Sequence, residues 1–366
     1  MTIMKKTLVL THEYYPFFGG VARYCFDLFK HFEQKDYLVL CDHEQVKTQA
    51  NIWHFKFKNK FIKPSWLFSF FRLIKIIKNE KIEQIFTPNI LPLGSMAYYL
   101  NKFFKLPYII SLHGLDINLA LKNKPNLVFK VLNKANYIIC NSQSTAKIIS
   151  DLNIDKNKIK VIYPGRDFNC QVDPDKLNRL KNSLNIQDGQ KVILTVGRLN
   201  KRKGHDLVIQ ALSEIKQDFL YFIVGRGEEE ASLRKLAEKY NIETKVRFFN
   251  NISDAELPYY YKLADVFVLP NRASKEDVEG FGIAFLNAAS CSLPIIAGKS
   301  GGVLEILTDQ KNALLVASDD LEDLKEKINL LLTDKNLATS LAQAAYVRSQ
   351  DFLSDKEQSE KLKTYL

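Results

Sequence analysis

The chain has 366 residues, with 46% hydrophobic and 25% charged residues, a composition that excludes a disordered or fibrous protein and provides for two domains with a core each. Its five cysteines (Cys25, Cys41, Cys140, Cys170, Cys291) are scattered, odd in number and free of any CxxC pair, so the reading is no disulfide framework, no zinc site and a reducing cytoplasm. The net charge of +11 is uneven: residues 1–170 hold 25 Lys and Arg against 12 Asp and Glu, or +13, and the remainder is −2. One half is thereby expected to meet an anionic surface or polymer.

Lys5-Lys6 lead directly into an apolar run, Thr7 to Thr11, too short for a signal core or a membrane span. Strands are expected near 6–11, 37–41, 52–57, 84–86, 107–112, 137–140 and 159–162, with helices between them at 20–33, 65–79, 92–104 and 142–151. This alternation predicts a parallel α/β sheet. After strand one, Gly19-Gly20 open a helix, where backbone amides are able to approach a phosphate; a plain βα turn accounts for them equally well. His12, one residue past that strand, is assigned no role. His113, at the end of the strand Tyr108 to Leu112, is placed to touch a sugar hydroxyl or a phosphate, although a single His is more often structural.

The segment from Lys56 to Lys81 interleaves Lys56, Lys58, Lys60, Lys63, Arg72, Lys75 and Lys78 with Trp66 and several Phe. Charges interrupt it too often for it to span a bilayer. It suits an interfacial position, with aromatics at headgroup depth and lysines on anionic lipid. A helix that simply packs its apolar face on the sheet is compatible with that reading.

Tyr163-Pro164-Gly165-Arg166-Asp167 and the polar stretch to about 190 mark a hinge. A second strand–helix series begins at Lys191, with strands near 219–224, 245–248, 266–269, 294–297 and 313–316. Arg198, past the strand ending at Val196, together with Lys201-Arg202-Lys203-Gly204, makes a strand-end cationic set suited to a diphosphate. Gly225, in Val224-Gly225-Arg226-Gly227, fits a tight turn as well as a nucleotide contact. Glu279-Gly280-Phe281-Gly282-Ile283 places an acid at a glycine elbow that opens a helix carrying Asn287. Ser300-Gly301-Gly302 is a further Gly-Gly helix start. The domains are expected at 1–170 and 171–345, with a helical segment at 346–366 packing back towards the first.

In order and spacing these segments resemble the family 4 glycosyltransferases of the GT-B fold, a family that includes bacterial lipopolysaccharide and phosphatidylinositol mannosyltransferases. The resemblance rests on Gly19-Gly20, Ser111-Leu112-His113-Gly114, Val161 to Gly165, Val196 to Leu199 with Lys203-Gly204, Ala264 to Pro270, Glu279 to Gly282, and Gly301-Gly302-x-x-Glu305. It implies two doubly wound domains facing across a cleft, and a retaining transfer of a hexose from a nucleotide sugar to a lipid-linked or cell-surface glycan. By position, Arg198 and Lys203 would grip the donor diphosphate, with Gly20 nearby. Glu279 would contact the transferred sugar, and His113 would lie near the reacting carbon. The amides around Phe281, Gly282 and Ile283 would border the sugar and phosphates. Where the family carries a second Glu for the ribose, this chain has Asn287.

No Asp-x-Asp-like cation site is evident, so neither a metal nor another cofactor is expected. The expected location is the inner face of the cytoplasmic membrane, held peripherally. The competing readings are a GT-B protein that binds sugar nucleotides without turnover and a nucleic-acid binder using the basic half. No RNP, helix-turn-helix or zinc pattern supports the latter.

Overall fold

The computed structural model describes residues 4–17, 19–43, 49–57, 66–273 and 278–366. Lys58, Lys60 and Lys63 therefore lie outside the described residues. The chain forms two units, one built from residues 1–165 and 353–366, the other from 166–352. The divisions fall at Gly165/Arg166 and Phe352/Leu353 rather than at 170 and 345.

In unit 1 the elements run β1 (Thr7–Thr11), α1 (Gly20–Phe29), β2 (Tyr37–Cys41), β3 (Ile52–His54), α2 (Leu67–Asn79), β4 (Gln84–Thr87), α3 (Ser95–Phe104), β5 (Tyr108–Leu112), α4 (Leu115–Asn123), α5 (Pro125–Lys134), β6 (Tyr137–Cys140), α6 (Gln143–Ser150) and β7 (Ile159–Val161). All seven strands are parallel, in the order β3-β2-β1-β4-β5-β6-β7. Central strands such as β1 and β5 are buried at every position, which explains why they read as continuous apolar runs rather than alternating ones. One face of the sheet is covered by α2, α3, α5 and α6 and the other by α1. β3 is shorter than the sequence suggested. Residues 113–136, given no element there, fold as α4 and α5, with Pro125 at the first turn of α5.

Unit 2 contains α7 (Pro174–Ser183), β8 (Lys191–Val196), α8 (His205–Leu212), β9 (Phe219–Val224), α9 (Glu230–Lys239), β10 (Val246–Phe249), α10 (Leu257–Leu263), β11 (Val266–Leu269), α11 (Ile283–Ser290), β12 (Ile295–Gly298), α12 (Val303–Ile306), β13 (Leu314–Val316), α13 (Leu321–Thr333) and α14 (Lys335–Ser349). Its six parallel strands are ordered β10-β9-β8-β11-β12-β13. Asp173 starts α7 by accepting the amides of Asp175 and Lys176 ahead of Pro174. The terminal helical stretch is broken after α14. A capping box between Ser354 and Glu357 then starts α15 (Asp355–Lys363), which belongs to unit 1 and packs on α1 through buried Leu362.

The cysteine expectation is corrected at one place. Cys170 is joined to Cys291, with Cα atoms 5.3 Å apart, a span usual for a disulfide. A partner 121 residues away along the chain leaves no mark in local spacing, because the extended segment before α7 reaches the end of α11 only once the unit has folded. The other three cysteines are buried and free.

Candidate functional site

In both sheets the strand order reverses between two neighbours that lie beside each other: β1 and β4 in unit 1, β8 and β11 in unit 2. The loops leaving the carboxyl ends of such a pair diverge and open a crevice for a ligand. In unit 2 the described residues of these loops are 197–204, after β8, and 270–273 with 278–282, after β11.

Three donors converge on one oxygen at the ends of these two strands. Glu279 Oε2 accepts from Arg202 at 2.6 Å, from Lys203 Nζ at 2.6 Å and from Asn271 Nδ2 at 2.7 Å. Glu279, Arg202 and Lys203 are largely buried, their side chains 12%, 16% and 11% exposed. Burial by itself raises the pKa of the Glu279 carboxyl. Lys203 and Arg202 outweigh it and hold the group at about 2, so it is an anion at any physiological pH.

The local sequence builds this geometry. Gly204 has φ +73°, and a Cβ there would stand 2.6 Å from the Pro270 carbonyl, so the lysine loop is able to close on the end of β11 only with glycine after Lys203. Arg272 fastens the two loops: its amide donates to the Arg202 carbonyl at 2.7 Å, and its guanidinium binds both oxygens of Asp206 at 2.7 and 2.8 Å and Asp319 at 2.6 Å. On the other side, Ser300 Oγ accepts the Glu279 amide at 3.2 Å, and the Gly302 amide donates to the Glu279 carbonyl at 2.8 Å. A Cβ on Gly302 would lie 2.2 Å from the Gly280 carbonyl. The Gly-Gly start of α12 is thus the buttress behind the acid.

The remaining residues singled out in unit 2 have different settings. Arg198 is exposed and lies outside the Glu279 cluster; the guanidinium that reaches the acid is that of Arg202. Phe281 is buried, its ring edge-on to Phe352 at 5.5 Å, and Gly282 caps α11 at φ +94° ahead of Ile283. Asn287, half-buried on α11, lies within hydrogen-bonding reach of the buried Tyr261 hydroxyl. Gly225 has φ +151°, and a Cβ there would meet the Gly197 carbonyl at 1.9 Å, so the closeness of two strand ends explains this glycine without a ligand.

In unit 1, His113 follows β5, with its Nε2 3.4 Å from Ser111 Oγ and its ring edge-on to Tyr24. Burial drives its pKa down to about 3, so the imidazole is neutral. Its backbone amide donates to Asp116 Oδ1 at 2.9 Å, while Asp116 Oδ2 is buried with no hydrogen-bond partner. Gly20 opens α1, and a Cβ there would meet nothing within 4 Å. His12, given no role from sequence, has Nδ1 3.1 Å from both carboxylate oxygens of Asp42 at the ends of β1 and β2, and its amide donates to Asn89 Oδ1. Lys56, Arg72, Lys75 and Lys78 are exposed, and Trp66 is half-buried.

Sequence reasoning missed Asn271 as a site residue and named Arg202 only within the basic run beside Arg198, without its pairing to Glu279. The signal for Asn271 was its position directly after the strand end at Leu269-Pro270. The pairing of Arg202 with Glu279 depends on the single helical turn at Lys201–Lys203, which no local pattern marked.

Residues 18–169 match the family described as Glycosyltransferase Family 4, and residues 178–348 match Glycosyl transferases group 1. An uncharacterized glycosyltransferase of Methanocaldococcus jannaschii is 29% identical, covering 97% of this chain and 96% of its own. A GDP-mannose-dependent monoacylated alpha-(1-6)-phosphatidylinositol monomannoside mannosyltransferase of Corynebacterium glutamicum is 26% identical, with 96% and 95% covered. In fold, the chain is similar to the crystal structure of Anabaena HepE in complex with UDP and glucose, with a TM-score of 0.85 at 19% identity and 98% of each chain covered. With both halves matched in order on two doubly wound parallel sheets, the chain belongs to the family 4 glycosyltransferases of the GT-B fold.

Proposed function

We propose that this glycosyltransferase moves a hexose from a nucleoside diphosphate sugar to a lipid-linked or cell-surface glycan, with retention at the anomeric carbon. The observation that carries the reading is the convergence of Arg202, Lys203 and Asn271 on Glu279 at the reversal point of the second sheet. Departure of a nucleoside diphosphate concentrates negative charge on the leaving oxygen. A fixed Lys and Arg at these strand ends stabilise that charge without reorganising. Both have donors beyond the one each gives Glu279. Glu279 holds them in place and offers its carboxylate to the hydroxyls of the transferred sugar. Arg198, exposed at the same strand end, and the amides of Phe281, Gly282 and Ile283 complete the diphosphate and sugar contacts. Asn287 meets the ribose with an amide in place of a charge. In unit 1, neutral His113 is a hydrogen-bonding group for the sugar, and the open space at Gly20 admits a phosphate.

A leaving phosphate oxygen is able to take the acceptor proton itself, so the reaction needs no separate base and, with two cations present, no metal. The acceptor is proposed to sit on the inner face of the cytoplasmic membrane, where the basic half of the chain attaches peripherally. The lipid acceptor named for the Corynebacterium relative supports this. Among the described residues no helix is long and apolar enough to cross a membrane. Nucleic acid is not proposed as a ligand.

The test is a panel of UDP-, GDP- and ADP-sugars assayed for hydrolysis and transfer, with and without EDTA. Turnover of one donor that survives EDTA is expected, and Lys203→Ala should lower its kcat/KM by about 100-fold or more, the scale of losing one charge-stabilising donor. Donor binding without turnover in the wild type would instead favour a binding protein. Turnover lost in EDTA and restored by magnesium would overturn metal independence.

A further inference from the structure

The outer layer of unit 1 formed by α2, α3 and α5 contains no acidic residue. It also leaves large aromatics in water: on α2 Phe68 is 59% and Phe71 65% exposed, and on α3 Phe103 is 62% and Phe104 50% exposed. Single exposed apolar side chains are ordinary, but a connected set is not. Here the two helices are linked by a run of rings. Phe71 and Phe70 are 6.3 Å apart, Phe70 and Trp66 5.7 Å, Trp66 and Tyr99 5.5 Å, and Tyr99 and Phe103 6.2 Å.

Positive charge borders the rings. Phe68, Phe71, Lys75 and Lys78 are spaced by three, four and three residues, so they form one outward stripe of α2, apolar at its start and basic at its end. On α3, exposed Lys102 and Lys105 flank Phe103 and Phe104, and Lys102 Nζ lies 5.7 Å from the Phe103 ring centre. A second copy of the chain would set like charges against each other. An apolar layer beneath a sheet of phosphates matches both halves of the pattern.

We propose that α2 and α3 form an aromatic wedge that inserts into an anionic bilayer, with Phe68, Phe71, Phe103 and Phe104 below the headgroups and Lys75, Lys78, Lys102 and Lys105 on the phosphates. This deepens the peripheral attachment proposed above: insertion, rather than charge alone, holds the protein. Insertion survives salt, whereas a purely ionic contact is screened.

The experiment is co-sedimentation of the full chain with phosphatidylglycerol-containing vesicles, and with phosphatidylcholine vesicles, at low salt and at about 0.5 M salt. The variants are Phe68→Ser with Phe71→Ser, Phe103→Ser with Phe104→Ser, and Lys75→Glu with Lys78→Glu. The wild type should bind anionic vesicles and keep a substantial fraction bound in high salt. Each aromatic pair should lower partitioning by at least about tenfold at both salt levels. The lysine pair should weaken binding chiefly at low salt. All variants should keep the wild-type melting temperature and donor-hydrolysis rate, because these side chains are exposed and outside the donor site. Donor hydrolysis also separates the two proposals: its absence in a protein that binds vesicles would remove the catalytic reading alone. Aromatic variants that bind like wild type, wild-type binding abolished by salt, or a dimer in vesicle-free solution dispersed by the Phe substitutions would each overturn the wedge.

Discussion

Asp116, in the first turn of α4, accepts the His113 amide on one carboxylate oxygen, and its other oxygen is buried without a hydrogen-bond partner. Burial pushes its pKa up to about 6, against the amide hydrogen bonds that favour the charged form. A carboxyl raised in the folded state stabilises the fold below its unfolded pKa near 4, and this contribution is lost as pH rises through 6. Asp116→Asn keeps an acceptor for the His113 amide and removes the ionisation. The variant is therefore expected to gain on the wild type by up to about 3 kcal/mol between pH 4 and pH 8. Melting temperatures across that range test it; a constant gap would reject it. At the same scale, residue identity in the sequence was enough to nominate Glu279, Lys203 and His113. It was not enough to pair Arg202 with Glu279, since that pairing depends on the turn at Lys201–Lys203.

Among the elements, the strands were the most legible, because parallel strands covered on both faces are short, continuous apolar runs. α4 and α5 were not: they follow directly on one another between two strands, and α4 carries exposed Leu115 and Leu119, which blurs its apolar stripe. The glycine pairs that open helices look alike in sequence and differ in structure. Gly302 is enclosed by the backbone of the Glu279 loop, whereas Gly20 faces open space. Gly302→Ala should displace that loop and cost stability, on the order of 1–3 kcal/mol, as well as activity. Gly20→Ala should leave the melting temperature unchanged and raise donor KM if a phosphate approaches α1. Unchanged kinetics in Gly20→Ala would remove that contact from the mechanism, and a fully stable Gly302→Ala would show that the buttress is dispensable.

For the whole molecule, the sequence announced two α/β units and a basic first half, but the assignment of its last residues to a unit depends on contacts far along the chain. α15 completes unit 1. Asp355 pairs with Lys30 at 2.5 Å, Ser359 donates to the Leu28 carbonyl, and Lys361 donates to the Val161 carbonyl at 2.9 Å. Gly165 faces the start of α15 so closely that a Cβ would fall 1.9 Å from an Asp355 oxygen. Removing residues 353–366 should uncover apolar surface on α1 and lower the melting temperature by several degrees, by calorimetry. A truncated chain that melts like the full one would mean that α15 adds nothing to the stability of unit 1.

Since the polypeptide departs from the first unit at Gly165 and rejoins it at Leu353, the second is an insertion in the first. The 166–352 segment is continuous, whereas its host is assembled from two fragments of one ribbon. A ribosome finishes the guest before it finishes the host. The acid-free helices therefore emerge early, yet the lobe that bears them awaits its closing helix until residues 353–366 have been made.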